Sequence, residues 1–258
     1  MNKDNFEKNY SMQTVHRAVQ ILRAFSRHNK RLTLTELHSL TGIGKSSLQR
    51  LLSTLTMEGL LQKNEQDKRY QLGLDFIFFA ELVEKSSSLL TIAQPVMERI
   101  YSETTESVSL SVIEDNERKC IHNIESKHEL NALTFVGQTS PLYAGASAKV
   151  LLAHFNQDIL ENYLNDVSLE GITENTISTK EALIEDLIKI RENGFATSHG
   201  ERVKGAGSIS APIFDPFSNV FAALTTIIPS ARVDDYNFDE FTDKIVKGAE
   251  EITNKLRM

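Results

Sequence analysis

Residues 33–55 read TLTELHSLTGIGKSSLQRLLSTL, and this stretch decides what kind of domain opens the chain. Thr33 stands three residues before Glu36, the spacing of a capping box in which a hydroxyl and a carboxylate each satisfy a free backbone amide. A short helix through Leu37 and Leu40 to Thr41 follows, and Gly42 ends it by taking up a left-handed backbone. After a short turn Ser46 and Gln49 repeat the box spacing. Leu48, Leu51, Leu52 and Leu55 then give a second helix a narrow apolar stripe that stops at Gly59. Its other face shows Ser46, Ser47, Gln49, Arg50, Ser53 and Thr54. Helix, glycine turn and helix form a helix-turn-helix pair.

Upstream, Val15, Val19, Leu22 and Phe25 recur at helical spacing and predict one more helix of about 14 residues, stopping near Ser26 to Lys30. Downstream, residues 60–63 and 68–72 read as two short strands around a polar tip at Asn64 to Asp67. Residues 12–74 are therefore expected to form a winged helix-turn-helix, with residues 1–11 as an N-terminal tail. The second helix of such a pair enters the major groove and needs short polar and basic side chains near its start. Lys45, Ser46, Ser47, Gln49 and Arg50 supply them. Ser46, Ser47 and the first amides suit phosphate, while Gln49 and Arg50 reach base edges. Lys63, Lys68 and Arg69 on the hairpin would clamp the adjacent backbone. Gly44-Lys45-Ser46 also matches the end of a nucleotide phosphate loop, but Ser39 stands where that loop needs its first glycine, and a helix precedes it instead of a strand.

The chain has 258 residues, 40% hydrophobic and 24% charged, a composition that excludes a disordered or fibrous protein and favours one large or two ordinary domains. Its net charge of −7 argues against a nucleic-acid partner only until it is divided. Residues 1–75 carry 12 Lys and Arg against 7 Asp and Glu; residues 76–258 carry 16 against 28. The first segment is thus +5 and the second −12. One cysteine, Cys120, forms no internal disulfide, the first residues lack an apolar signal region, and no apolar run approaches the length of a membrane span. A soluble cytoplasmic protein with no membrane partner is expected.

Residues 75–89 read as a linker helix rich in Phe and Leu and ending in a serine run. Beyond it come a helix over 90–102, strands over 107–113 and 119–124, a small-residue helix over 143–154, and a helix over 178–193 capped by Ser178 with Glu181 and stopped by Gly194. Strands follow over 195–199, 207–214 and 220–228. A closing helix places Phe238, Phe241, Ile245, Ala249, Ile252 and Leu256 on one face. The fold class is α+β, with residues 90–258 as a mixed sheet domain. Residues 144–148, AGASA, begin a helix with almost no side-chain bulk, so a ligand carboxylate could approach the free amides. Ser208 and Ser210 share one side of a strand, with Ser198 and Thr225 on neighbouring strands, where they offer hydroxyls to a polar metabolite. Close packing of the small helix on the sheet would explain the same residues.

Residues 33–55, then YQLG at 70–73, PLYAGASAKVLLA at 141–153, and Gly194-Phe195-Ala196 through SAPIFD at 210–215 resemble, in this order, the IclR family of bacterial transcriptional regulators. The resemblance runs from about Met12 to the C-terminus. It implies an N-terminal winged helix-turn-helix, a linker helix that helps dimerise, and a GAF-like C-terminal domain for a small metabolite, often a carboxylic or sugar acid. It also implies a homodimer or homotetramer on a palindromic operator in double-stranded DNA, and it places Ala146, Ser147, Ser198, Ser208 and Thr225 at the effector. Two residues depart from the pattern: Ala148 replaces the usual glycine before Lys149, and Ser198 replaces an acid found in some small-acid sensors, so the effector's identity does not transfer. His38 fills a slot usually held by alanine. His199 with Glu201 and Cys120 with His122 could be acid–base pairs or ligands, but neither has metal-binding spacing. No catalytic residue, metal or cofactor is expected.

Overall fold

The computed structural model describes residues 12–26, 28–131 and 134–258, so the expected tail at 1–11 lies outside the described residues. Contacts divide the chain into two compact units, one ending at Ser86 and one running Ser87–Met258.

In the first unit, α1 (Gln13–Arg23), α2 (Leu34–Thr41) and α3 (Lys45–Met57) precede an antiparallel hairpin of β1 (Leu61–Lys63) and β2 (Tyr70–Leu72), and α4 (Asp75–Ser86) follows. The capping box of α2 is complete: Thr33 Oγ1 accepts from the Glu36 amide at 3.2 Å, and the Glu36 carboxylate accepts from the Thr33 amide at 2.6 Å. Gly42 then turns the chain with φ 69°. The second expected box is absent. α3 starts at Lys45, so Ser46 is already helical and cannot act as the flanking cap, and Gly44 takes that place without a side-chain bond.

The core of this unit joins Ile21, Leu32, Leu37, Ile43, Leu48, Leu52, Leu55, Leu61 and Tyr70. α1 is shorter than expected, and its stripe is placed differently: Val15 and Val19 are exposed, whereas Ile21 is fully buried with Ala18, Leu22 and Phe25 against it. At 100° per residue the valines lie more than a quarter-turn from Ile21. The hairpin is sewn to the segment before α2 by reciprocal backbone bonds between Leu32 and Tyr70, 2.9 and 2.7 Å.

The second unit contains α5 (Ser88–Thr104), β3 (Ser107–Glu114), β4 (Glu117–Ile124), β5 (Thr139–Pro141), α6 (Ala146–Ala153), α7 (Gln157–Asp166), α8 (Lys180–Asn193), β6 (Ala196–His199), β7 (Ala206–Phe214), β8 (Val220–Pro229) and α9 (Phe238–Leu256), with a 3-10 turn at Ser230–Asp235. Its six-stranded sheet has the order β5-β4-β3-β8-β7-β6, every neighbouring pair antiparallel. Strand alternation sorts side chains onto two faces. Val108, Leu110, Ile209, Ala211, Ile213, Leu224 and Ile228 pack on α5 and α9. Residues of the opposite parity face α6 and α8, where Leu142, Val150, Leu151, Leu183 and Leu187 make a second core.

Three details depart from the sequence reading. The small-residue helix starts at Ala146, three residues later than its composition indicates. Thr179, not Ser178, caps α8, accepting from the Ala182 amide at 3.3 Å from an extended backbone. On α9, Phe238 is exposed while Phe241, Ile245, Ala249 and Ile252 are buried. β5 and α7 carry too weak a local pattern to be read.

Candidate DNA-reading face and effector cavity

Most helices here begin under a side-chain cap: Thr33, Ser87, Asn156, Thr179 and Asn237 serve α2, α5, α7, α8 and α9. α3 and α6 instead begin on Gly44 and Gly145, neither of which has a side chain to bond the first-turn amides. An uncapped start leaves N–H groups, backed by the helix dipole, for an outside anion.

At the α3 start, Lys45, Ser46, Gln49 and Arg50 are exposed and Ser47 is half-buried, while Leu48, Leu52 and Leu55 anchor the inner face. The turn before it is braced by His38, whose Nδ1 lies 2.8 Å from the Ile43 carbonyl oxygen. The histidine therefore stitches α2 to the turn. A shallow groove is lined by Thr14 and Arg17 of α1 and by Ser47, Arg50, Leu51 and Thr54 of α3. Arg17 is absent from the sequence-derived set, although it is a basic residue at helical spacing before the helix-turn-helix.

The hairpin bases are already in ion pairs. Lys63 and Lys68 share the exposed Glu65 at 3.0 and 2.7 Å, and hydrogen bonds from the two lysines hold that carboxyl below its ordinary value. Arg69 reaches Glu36 at 3.0 Å and the Arg31 carbonyl at 3.0 Å. It ties the wing to the α2 capping box. The Glu36 carboxyl is lowered first by the Thr33 amide bond, with Arg69 adding to it. Such exposed pairs are weakened by solvent screening and exchange readily for phosphate partners.

In the second unit, Ala146, Ser147, Ser198, Ser208 and Thr225 line a single cavity, together with Thr134, Gly145, Glu201, Arg202, Val203, Ala206 and Ile227. Strand register explains the convergence: Ser198 pairs with Ser208 and Ser210 with Thr225, so these hydroxyls share the face beneath α6. Ser210 is fully buried behind them and contacts Thr225 Oγ1 at 2.7 Å. About 430 Å³ between these residues is free of protein atoms, part of it open to solvent.

Glu201 takes one of the amides that the sequence offered to a ligand. Its Oε2 accepts from the Gly145 amide at 3.0 Å, and its Oε1 accepts from Lys149 Nζ at 2.6 Å. Lys149 is almost wholly buried, and Asp186 adds a charge at 2.8 Å outside hydrogen-bond geometry. A lysine inside a helix of alanine and leucine was the signal that a buried acid must answer it.

His199 is exposed and takes no part in this pair. Cys120 and His122 meet only through the His122 backbone carbonyl, 3.4 Å from Sγ, and burial pushes the thiol above its ordinary value. Among the described residues no group of three His, Cys, Asp or Glu side chains is placed to hold a metal ion, and no helix is long and apolar enough to cross a membrane.

Arg202 lines the cavity, and the buried Arg118 lies close enough to Arg202 to feel its charge. Burial lowers both: Arg202 below its ordinary value, and Arg118 to about 10, with the neighbouring Arg202 charge adding to the effect. Neither was in the sequence-derived site.

The two units match separate family descriptions. Residues 14–65 match the IclR helix-turn-helix domain, and residues 82–254 match the bacterial transcriptional regulator IclR C-terminal domain. The HTH-type transcriptional regulator KipR of Bacillus subtilis is 33% identical over 244 residues, covering 95% of this chain and 97% of KipR. The transcriptional repressor IclR of Escherichia coli is 26% identical, over 94% of this chain and 89% of its own. The crystal structure of an IclR transcriptional regulator from Alicyclobacillus acidocaldarius superposes with a TM-score of 0.85 at 25% identity, covering 96% of this chain and 98% of that one. With both domains matched in order and KipR aligned almost end to end, the chain belongs to the IclR family of bacterial transcriptional regulators.

Proposed function

We propose that residues 12–74 read a palindromic operator, that residues 90–258 bind the effector in the cavity beneath α6, and that residues 75–89 form the linker helix that couples them. A member of this family is a DNA-binding regulator and not an enzyme; it works with operator DNA, a small-molecule effector and copies of itself. In the proposed reading face, Lys45, Ser46 and Ser47 meet phosphate, Gln49 and Arg50 meet base edges, and Lys63, Lys68 and Arg69 meet the flanking backbone. Ala146, Ser147, Ser198, Ser208 and Thr225 hold the effector, a carboxylic or sugar acid. The protein acts in the cytoplasm, where its operator is. One observation carries this reading: the helices that start on bare glycine caps are the recognition helix and the helix over the cavity.

Effector binding shifts the sheet domain, and the linker helices of the oligomer pass that shift on as a change in recognition-helix separation. Half-sites lie about one helical turn, or a multiple, apart, so a small change in separation loses contacts. A coupling of about 1–3 kcal/mol, roughly 5- to 150-fold in operator affinity, is sufficient.

A mobility-shift titration on DNA from the region upstream of the chain's own gene tests the reading side. Affinity should fall steeply with salt as phosphate contacts release counterions. A salt-independent shift, or none, removes α3 from the assignment. On the effector side, Ser147→Leu fills the cavity mouth and should abolish any effector-dependent change in operator affinity. A variant that still responds as the native chain does would place the effector elsewhere.

A further inference from the structure

We propose that the cavity selects a small dianion, with one anionic group on the α6 amides of Ala146 and Ser147 and the other on Arg202, with Arg118 behind it. This rests on the assignment of the cavity as the effector site. At the α6 end, the Gly145 amide is already satisfied by Glu201, whereas the next two amides, at Ala146 and Ser147, have no partner within the helix. One anionic group fits there.

The second pole is the arginine pair. Arg202 lines the cavity and forms no ion pair among the described residues. Arg118 is only 1% exposed; its Nε donates to Ser140 Oγ at 3.0 Å, and its Nη2 is buried without a partner. A buried guanidinium with an orphaned nitrogen is costly, and a second cation beside it raises the cost. Glu201 does not relieve it. It is the single carboxylate among the described lining residues, and both its oxygens are engaged, by Gly145 and Lys149. An incoming anion would supply the missing charge and accept a bidentate pair of hydrogen bonds. The two poles are close: a Cβ placed on Gly145 would lie 4.0 Å from Arg202 Nε. The match is a short diacid of malonate to succinate length, or a small acid bearing a phosphoryl group.

Thermal unfolding of the full chain with malonate, succinate, inorganic phosphate and the monoacid butyrate tests this. Malonate or succinate should raise Tm more than butyrate at equal concentration. Arg202→Gln and Arg118→Gln should weaken the diacid's apparent affinity by about tenfold or more, the scale of a lost charge-assisted bond. Unliganded Tm in these variants should stay level or rise, because an unneutralised buried charge has gone; a merely structural arginine would lower it. Phosphate outperforming the diacids would place a phosphoryl group at Arg202 and still support the dianion.

The proposal is overturned if neither the diacids nor phosphate exceed butyrate, or if their advantage persists in Arg202→Gln. Ser147→Leu separates the two levels of assignment. If butyrate shifts the native chain and fails in Ser147→Leu while diacids show no advantage, the cavity stands and the dianion falls. If every shift survives Ser147→Leu, the cavity assignment itself falls.

Discussion

The N-termini of α3 and α6 share one construction and differ in setting. Both helices start on glycine, and both lack a side-chain cap. At α3 the glycine is exposed with φ −55°, a backbone any residue can adopt, and the residues after it are exposed and polar or basic. At α6 the glycine is buried with φ 90° and ψ 153°, a region essentially reserved for glycine, and the helix beyond it is buried from Ala148 to Ala153. The same free amides can therefore meet a long, solvated polyanion in one unit and a single small anion in the other. Access, not helix chemistry, makes the difference. Water and salt screen charges at the first site, whereas the second is walled by buried residues, so a charge within it is screened less.

Four substitutions test that contrast. Glu201→Ala should have the largest effect, costing the second unit about 3–5 kcal/mol because it leaves buried Lys149 without its hydrogen-bonded partner. Denaturant unfolding would measure it, and a loss below 1 kcal/mol would mean Asp186 alone suffices. Gly145→Ser should destabilise by about 1–3 kcal/mol through backbone strain. Its failure to do so would erase the distinction between the two glycines. Arg50→Ala should weaken operator binding by about 1–3 kcal/mol and relax specificity at one base position. Unchanged affinity and specificity would remove Arg50 from the reading face. Gly44→Ser should give the smallest effect, a gain of a few tenths of a kcal/mol in stability, because serine is a better N-cap and a Cβ there meets nothing within 4 Å. Operator affinity should fall in the same protein as the new hydroxyl takes an amide from phosphate.

What could be read in advance follows the range of the interactions involved. The α2 box, the Gly42 turn and the buried stripe of α3 are local, set by residues within a few positions of each other, and they are legible in residues 33–55. The α1 stripe is not: periodicity gives Val15, Val19, Leu22 and Phe25 an apolar arc, but only the packing of α2 and α3 decides that Ile21 marks its centre. Strand pattern offers Ser198, Ser208 and Thr225, the small-residue helix offers Ala146 and Ser147, and the resemblance groups the five; strand register gives the physical reason the three hydroxyls line one cavity. Arg118, Arg202 and Glu201 are different. They lie on β4 and in the β6–β7 connection, far apart in sequence, and no spacing rule links them. The −12 charge of the second segment also conceals the interior cations Arg118, Lys149 and Arg202, since net charge counts the surface and the interior alike.

Glu36 was described as a capping residue, yet the same carboxylate holds Arg69 of the wing. Start of α2, hairpin and the strand-like link at Leu32 are thereby fastened at one point. The pair is exposed and weak, so it is a latch and not a weld: Arg69 can leave Glu36 for a phosphate while the reciprocal Leu32–Tyr70 backbone bonds keep the hairpin seated.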